Sequence, residues 1–313
     1  MGDMKKIYYG IFFGIILMLI LIVVKFFGEK TEEEIEIIPA GKTIFVENGK
    51  ATERCDLEEF LPCVVAKIFS IDENEELLKM QMIIARTYLE KKLENRVSEN
   101  AKNLGVSYYS YRELEKLYGT DYPNKYKKWK KLIQETNLIV IRYKDELIDP
   151  YFHIASNGMT RDGNEVLGGK HDYLQSVESK FDLEYKENRT IQYITIREFV
   201  DKLKKQNEAY EIEVSNFFDQ FSIKETCSAG YVKKVSVGNE TIGSEAFCRL
   251  FQIPSQYFRI EKYQSEKEPM LRIIARGRGN GLGVSLYGAK VMAEQGKKYQ
   301  EILEYYYKNV LIG

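Results

Sequence analysis

The chain holds few residues of the kinds that build nucleophilic or metal-dependent active sites. Its only histidines are His153 and His171. His153 lies close to Ser156 on an apolar, extended segment, where a serine and a histidine point to different faces or are neighbours by accident. No H-E-x-x-H helix is present. We therefore expect neither a serine-hydrolase triad nor a catalytic zinc ion.

Acidic side chains are crowded at the start of a predicted helix, where Asp72 and Glu73 precede Glu75 and Glu76. Carboxylates near the first turn stabilise the positive end of a helix dipole and need no further role there. A carboxyl group can also act as a general acid that protonates a leaving group. For Asp72 and Glu73 this second interpretation stays open.

Glycines alternate at positions 277, 279, 281 and 283, between a predicted strand and a predicted helix. The strict alternation matches neither G-x-G-x-x-G nor G-x-x-x-x-G-K-[ST], so no nucleotide cofactor is expected, and no other cofactor is predicted. Glycines at these positions would let the chain pass close to another backbone or to a flat ligand. Ser285 is then placed to cap the helix that follows.

The rest of the chain predicts an α+β fold. Asp56 is a typical helix cap, and a long helix over about residues 74–93 is apolar nearly all round, which predicts a central position. Gln81 lies inside its apolar stripe, so its amide needs partners or a wet groove. Two lobes, about 41–190 and 191–313, are expected around a groove. Other predicted helices lie at about 124–136, 196–203, 244–250, 285–295 and 299–308, and strands at about 42–46, 138–143, 147–155, 231–237, 258–262 and 271–275.

The first residues predict a membrane anchor. Residues 7–27 contain an apolar run of about the 20 residues that a helix needs to cross a bilayer. A cleaved signal peptide is the alternative, but its apolar region would be shorter and would end at small residues. We expect residues 1–6 to be a cytoplasmic tail, residues 28–40 an acidic stalk, and residues 41–313 an extracytoplasmic domain of a single-pass cell-membrane protein.

Charge and cysteine content bound the class of partner. The chain has 46 lysines and arginines against 47 acidic residues, so its net charge is near zero. Such a chain does not attract nucleic acid by its overall charge, and nucleic acid is not an expected partner. The four cysteines do not have the short spacing of zinc sites. Two states stay open: a disulfide bridge between Cys227 and Cys248, or four buried, unpaired thiols.

Several stretches resemble stage II sporulation protein D and the LytB amidase-enhancer proteins. The stretch from Leu57 to Ala66 (LEEFLPCVVA) and that from Leu78 to Tyr88 (LKMQMIIARTY) are similar to the two hallmark motifs of this family. Residues 152–160 (FHIASNGMT), 173–179 (YLQSVES) and 277–289 (GRGNGLGVSLYGA) agree in the same order. The resemblance covers about residues 41–313 and implies an envelope protein that acts on peptidoglycan, in the sporulation branch as a lytic transglycosylase.

The chain departs from that family where catalysis would occur. The resemblance places the catalytic glutamate two residues after V-V-A, a position occupied here by Ile68. Asn280 stands where family members have a histidine, and Leu286 where they have a glutamine. An isoleucine cannot donate a proton, so the sequence predicts a degraded catalytic centre on a retained scaffold, that is, a pseudoenzyme.

Two hypotheses follow from this departure. The first is a membrane-anchored, catalytically silent protein that binds peptidoglycan glycan strands, or an amidase or membrane protein of the cell-wall machinery. The second keeps transglycosylase activity through a displaced acid, Asp72 or Glu73. No catalytic or metal-binding residue is assigned under the first hypothesis. The predicted substrate-binding residues carry amide, hydroxyl, guanidinium or aromatic groups: Gln81, Arg86, Tyr88, Ser156, Thr160, Asn280, Ser285 and Tyr287.

Overall fold

The computed structural model describes Met18 and residues 35–49, 51–265 and 268–313. Apart from Met18, the predicted tail and anchor lie outside the described residues, as does most of the predicted stalk. Among the residues that are described, no helix is both long and apolar enough to span a bilayer. The chain divides into residues 1–36 and a compact unit, Ile37–Gly313, which is described below.

The compact unit mixes helices with short sheets, which confirms the α+β class. Its helices are α1 Leu57–Val65, α2 Glu75–Lys92, α3 Tyr111–Tyr118, α4 Tyr122–Glu135, α5 Gly163–Leu167, α6 Ile196–Gln206, α7 Phe217–Gln220, α8 Ser244–Phe251, α9 Leu286–Glu294 and α10 Tyr299–Tyr306. Its strands are β1 Thr43–Asn48, β2 Ala51–Asp56, β3 Ser98–Asn100, β4 Ile141–Tyr143, β5 Glu146–Leu147, β6 Phe152–His153, β7 Arg189–Thr195, β8 Phe221–Thr226, β9 Val232–Val237, β10 Glu240–Gly243, β11 Phe258–Gln264, β12 Pro269–Arg276, β13 Val284–Ser285 and β14 Leu311–Ile312.

Helices α1 and α2 both begin after a capping side chain, and that of α1 is the predicted Asp56. The Asp56 carboxylate accepts a hydrogen bond from the Glu58 amide at 3.0 Å, and the Glu59 carboxylate accepts one from the Asp56 amide at 3.1 Å. This reciprocal capping box satisfies amide groups that an open helix end leaves without partners. At α2 the Asn74 side chain accepts from the Glu76 amide at 2.9 Å. The two caps fix the ends of the connection between the helices.

Helix α2 is central because its opposite faces belong to different hydrophobic clusters. Leu78 and Met82 pack with α1, α4 and the β1–β2 hairpin, whereas Leu77 and Met80 pack with α9 and α10. A third cluster is built from residues 194–275 alone. The two-lobe boundary near residue 190 stays a prediction, but the clusters place residues 284–307 in one core with α2.

Five small sheets join distant parts of the compact unit. Their strand orders are β2-β1-β3, β10-β9-β8, β11-β12-β7, β13-β6 and β14-β4-β5. The predicted hairpin after α4 is present as β4 and β5, and its turn places Lys144 and Asp145 at φ of 50° and 66°. Its second strand ends at Leu147 rather than continuing to residue 155, because β6 pairs with β13 instead.

The alternating glycines run against the segment that contains β6. All four have positive φ, from 64° to 107°. A Cβ atom at Gly283 would lie 1.9 Å from the Tyr151 carbonyl oxygen, and one at Gly277 would lie 2.9 Å from that of Ala155. The predicted close approach to another backbone is therefore confirmed. That backbone belongs to the segment of the same chain that contains β6.

Candidate functional site

A groove with a volume of about 560 Å³ opens where the turn after α1, the segment after β6 and the start of α9 meet. We call it the Ile68 groove. It combines an apolar floor with charged groups at its edge. Its lining residues are Lys67, Ile68, Phe69, Glu73, Phe152, Ile154, Tyr185, Leu286, Tyr287 and Lys290.

Local hydrogen bonds hold the two walls of the groove. After α1 the Ile68 amide donates to the Val65 carbonyl at 2.9 Å, which makes the turn that carries Ile68 into the groove. On the other wall the Tyr287 amide donates to the Ile154 carbonyl at 3.0 Å. The Tyr287 ring lies 5.3 Å from that of Tyr185. Backbone anchors therefore orient the apolar side chains that line the groove.

The start of α9 rests on a buried polar network. Ser285 caps α9 as predicted, because its hydroxyl accepts from the Gly288 amide at 3.2 Å. The same hydroxyl donates to Asp182 Oδ1 at 2.6 Å, and the other Asp182 oxygen accepts from the Ser156 amide at 2.6 Å. Ser156, Asp182 and Ser285 are fully buried. This network positions the loop and the helix around the groove and is closed to solvent.

Glu73 is the carboxylate of the groove. Its Oε1 lies 2.8 Å from Lys290 Nζ, and the two side chains are 26% and 35% exposed. Asp72 does not line the groove; its side chain is 70% exposed and lies 3.3 Å from Lys125 Nζ. The hydrogen bond from Lys125 holds the pKa of Asp72 below its ordinary value, so Asp72 is ionised at neutral pH.

Of the predicted binding residues on α2, two are buried in the core. The Arg86 guanidinium is 1% exposed and donates to both oxygens of Glu58, at 2.6 and 2.8 Å. It also donates to the Ile139 carbonyl at 3.0 Å. Gln81 is 1% exposed, and its Oε1 has no hydrogen-bond partner among the described residues. In this conformation neither side chain can contact a polymer, and Arg86 instead closes a buried ion pair.

Three other residues predicted to bind substrate are also buried, and their hydroxyl groups form hydrogen bonds inside the protein: Ser156, Thr160 and Ser285. The Thr160 hydroxyl accepts from the Val177 amide at 2.8 Å, and that of Ser156 accepts from the Gly158 amide at 3.1 Å. Ser285 bonds to Asp182, as described above. Their hydroxyl groups organise turns beneath the surface rather than presenting donors to a ligand.

The three remaining predicted residues lie at different cavities. Tyr287 lines the Ile68 groove, Tyr88 lines a cavity of about 300 Å³, and Asn280 lines one of about 480 Å³. The structure therefore does not gather the eight residues in one groove. The groove residues that sequence reasoning missed are chiefly apolar, such as Phe152 and Ile154, whose alternation along an extended segment was the available signal.

His153 forms no catalytic pair with Ser156. Its Nδ1 lies 3.0 Å from the Leu282 carbonyl oxygen, and its Nε2 is buried with no hydrogen-bond partner among the residues that the structure describes. Burial lowers the pKa of His153, so the imidazole is neutral at pH 7. Within the described ranges, no three His, Cys, Asp or Glu side chains are grouped so as to hold a metal ion.

Comparison with known proteins supports the family resemblance. A family model described as "Stage II sporulation protein" matches residues 47–143, which include Ile68, Glu73 and α2. The chain resembles the stage II sporulation protein D family. That match contains one wall of the groove, and the opposite wall comes from residues beyond it.

Relatives extend the resemblance over most of the chain. Stage II sporulation protein D of Bacillus subtilis (strain 168) is 26% identical over 294 residues, which cover 91% of this chain and 82% of the relative. That of Bacillus amyloliquefaciens is 25% identical, over 88% of this chain and 79% of the relative. An uncharacterized protein of Brachyspira hyodysenteriae (strain ATCC 49526 / WA1) is 25% identical, over 87% and 69%.

Proposed function

We propose that the protein is a membrane-anchored envelope protein of sporulation that binds peptidoglycan glycan strands in the Ile68 groove without cleaving them. The observation that carries this proposal is the side chain at position 68. Where the resemblance implies a proton donor, the groove presents a hydrocarbon. Glycan cleavage by this class of enzyme needs a carboxylic acid to protonate the leaving oxygen.

The composition of the groove supports sugar binding. Phe152 and Ile154 are 38% and 39% exposed and line the same groove, so their apolar surface is available to a ligand. Flat apolar surfaces such as the Tyr287 ring suit the C–H face of a pyranose. Lys67 and Lys290 at the edge supply donors for hydroxyl and acetamido oxygens.

Sedimentation with purified sacculi tests binding. We expect the 313-residue chain to pellet with sacculi and Tyr287→Ala to pellet several-fold less. Tyr263→Ala is the matched control, because Tyr263 is 38% exposed on β11, outside the groove. Equal sedimentation of the two variants would exclude the Ile68 groove as the binding surface. A chain that does not pellet at all would leave a protein partner, such as an amidase, as the ligand.

The position of Glu73 favours a second candidate, a transglycosylase with a displaced acid. Glu73 lines the groove, and its Oε1 lies 2.8 Å from Lys290 Nζ. Incubation with peptide-free glycan strands, followed by mass spectrometry for anhydro-ended sugars, separates the candidates. We expect no anhydro product. A product that disappears in Glu73→Gln would replace the first proposal with the second.

The proposed location rests on the apolar run within residues 7–27. We expect the full chain to stay with the membrane after alkaline carbonate extraction and to lose its domain to protease added outside intact protoplasts. Protection of the domain from that protease would place it on the cytoplasmic side and exclude access to the wall.

A further inference from the structure

A second cavity, separate from the Ile68 groove, is lined by three cationic side chains and one carboxylate, Glu245, and the proposed function does not use it. It has a volume of about 480 Å³ and lies between the segment after Thr160, strand β9 and the start of α8. We call it the Arg161 cavity. Residues that line it include Arg161, Lys233, Lys234, Ser244, Gln256 and Asn280.

Arg161 is a buried cation without a carboxylate partner. Arg161 is only 5% exposed, and no described aspartate or glutamate forms an ion pair with it. The guanidinium donates once, to the Asn280 carbonyl at 3.0 Å, and lies 5.3 Å from the centre of the Tyr231 ring. Its Nε is buried and has no hydrogen-bond partner in the part of the chain that the structure describes. Because a guanidinium carries five donors and stays charged, burying it this way is costly unless a ligand completes the site.

The surroundings raise the positive potential at this cation. Lys233 and Lys234 line the same cavity, and both pair with the single carboxylate of Glu225, at 2.6 and 3.0 Å. Helix α8 begins at the cavity with Ser244, and no side chain caps its first amides. Open amide groups and the helix dipole favour an anion at such an end. The buried guanidinium and the helix end are independent features that favour the same charge.

The cavity also offers one acceptor. Gln256 Oε1 is buried and has no hydrogen-bond partner among the described residues. A ligand that satisfies both orphaned atoms carries an anionic acceptor for Arg161 and, beside it, an N–H or O–H donor for Gln256. A monoanion balances the site better than a dianion does, because the three cations (Arg161, Lys233 and Lys234) are already offset by two carboxylates: Glu225, which pairs with both lysines, and Glu245, which lines the cavity.

We propose that the Arg161 cavity binds a carboxylate that stands next to an acylamido N–H, held by Arg161 and Gln256. Wall polymers offer this chemistry from two sources, the C-terminus of a wall peptide and the lactyl carboxylate of N-acetylmuramic acid. The choice of these two sources rests on the proposed envelope function, whereas the need for a carboxylate does not. The carboxylate would be fixed by two parallel N–H···O bonds from the guanidinium.

Titration calorimetry on the 313-residue chain tests the proposal with paired ligands. One pair is N-acetylmuramic acid and N-acetylglucosamine, and the other is N-acetyl-D-alanyl-D-alanine and its C-terminal amide. We expect at least one acid to bind at least about tenfold more tightly than its neutral partner, the scale of one charge-assisted hydrogen bond; the acid that binds more tightly identifies the source. Equal affinity within both pairs, or no binding, would overturn the proposal. So would equally tight binding of inorganic phosphate, which would leave an unselective anion site.

Variants separate a binding role of Arg161 from a structural one. We expect Arg161→Met to abolish acid binding and to raise the melting temperature of the unliganded chain, because it removes an uncompensated buried charge. Arg259→Met, at an arginine whose side chain is 62% exposed on β11, is the control of equal charge change and should do neither. Gln256→Leu, which leaves the charge in place, should weaken binding several-fold. Unchanged acid binding in Arg161→Met would refute the assignment.

The result is distinguishable from failure of the proposed function. A chain that does not sediment with sacculi but binds one of the acids would refute glycan binding in the Ile68 groove and leave the Arg161 cavity standing. A chain that sediments with sacculi through Tyr287 and distinguishes neither acid would do the reverse.

Discussion

Ile68 places a branched hydrocarbon in a groove that is also lined by Phe69, Leu286 and Lys290. A carboxyl group placed there would be partly withdrawn from water, which raises its pKa toward the range where it can donate a proton. Under the proposed function, the residue type at this position, rather than the shape of the groove, is therefore the first barrier to catalysis.

We expect Ile68→Glu to yield detectable anhydro-ended sugars from peptide-free glycan strands. A positioned general acid typically contributes about 10²–10⁴-fold, and we expect the lower end because Leu286 replaces a polar group of the family. Ile68→Gln is the matched control, with similar shape and no acid proton. A folded Ile68→Glu chain with no product above that control would show that the loss extends beyond one residue.

His153 gives the fold a pH dependence. Its pKa is lowered in the folded chain by burial, so below about pH 6.5 the unfolded chain binds a proton that the folded chain does not. The free energy of unfolding should therefore fall as the pH drops below that value, by at most about 1.4 kcal/mol per pH unit. Urea titrations above and below it, on wild type and His153→Gln, measure the slope.

The chain supplies an internal control for this slope, since His171 is its only other histidine and is partly exposed. We expect His171→Gln to keep the wild-type slope and His153→Gln to flatten it. Identical slopes in all three proteins would assign the acid sensitivity to carboxylates instead.

At the scale of elements, the glycine segment and β6 are held at backbone contact distance. We expect Gly283→Ala to destabilise the chain by more than about 2 kcal/mol, because it adds a backbone clash to the ordinary cost of about 1–2 kcal/mol for a side chain at positive φ. Gly296→Ala is the control, with φ of 89° and no atom within 4 Å of its added Cβ. Chemical denaturation of both should show the difference, and equal losses would mean that the contact with Tyr151 relaxes freely.

Helices α1 and α2 are joined by the buried pair of Glu58 and Arg86. We expect Glu58→Gln to cost about 3–5 kcal/mol, because it leaves the guanidinium buried beside a neutral amide. The double variant Glu58→Leu with Arg86→Met should recover much of that loss. Glu245→Gln breaks an exposed pair with Arg249 and should change stability little. A small loss in Glu58→Gln, matching that control, would contradict the burial of the pair.

The sequence predicted most of the helices and strands, whose apolar residues recur at regular spacing, but fewer of the contacts between them. The extent of α2 followed from its apolar pattern, and the caps of α1 and α9 followed from Asp56 and Ser285. The sequence predicted that β6 continues the hairpin. No feature of the neighbouring residues indicates that its partner is β13, more than a hundred residues later. The sequence identified the segments around the site. It also predicted that Arg86 binds sugar, because sequence alone does not reveal that Arg86 pairs with Glu58.

At the scale of the whole molecule, the four cysteines report global unfolding. Cys55, Cys63, Cys227 and Cys248 are all buried and unpaired, which decides between the two states that the sequence left open. Burial raises the pKa of Cys55 to about 11 and that of Cys248 to about 12, so their reactive thiolates are scarce at neutral pH.

We expect a thiol reagent to titrate four groups in denaturant and almost none in buffer, with reducing agent leaving the melting temperature unchanged. Reaction in buffer should follow the rate of unfolding, since each thiol must first reach solvent. Fewer than four groups in denaturant would indicate a bridge, and rapid reaction in buffer would indicate an open core.

The pair that closes the Ile68 groove, Glu73 with Lys290, joins residues 217 positions apart. A ribosome therefore finishes one wall long before it has made the other, and the nascent chain must keep Phe152 and Ile154 from unwanted partners in the meantime. If the groove binds glycan as proposed, binding needs the completed polypeptide, because a message truncated just before the codon for Leu286 would encode all of α2 but none of the groove residues of α9.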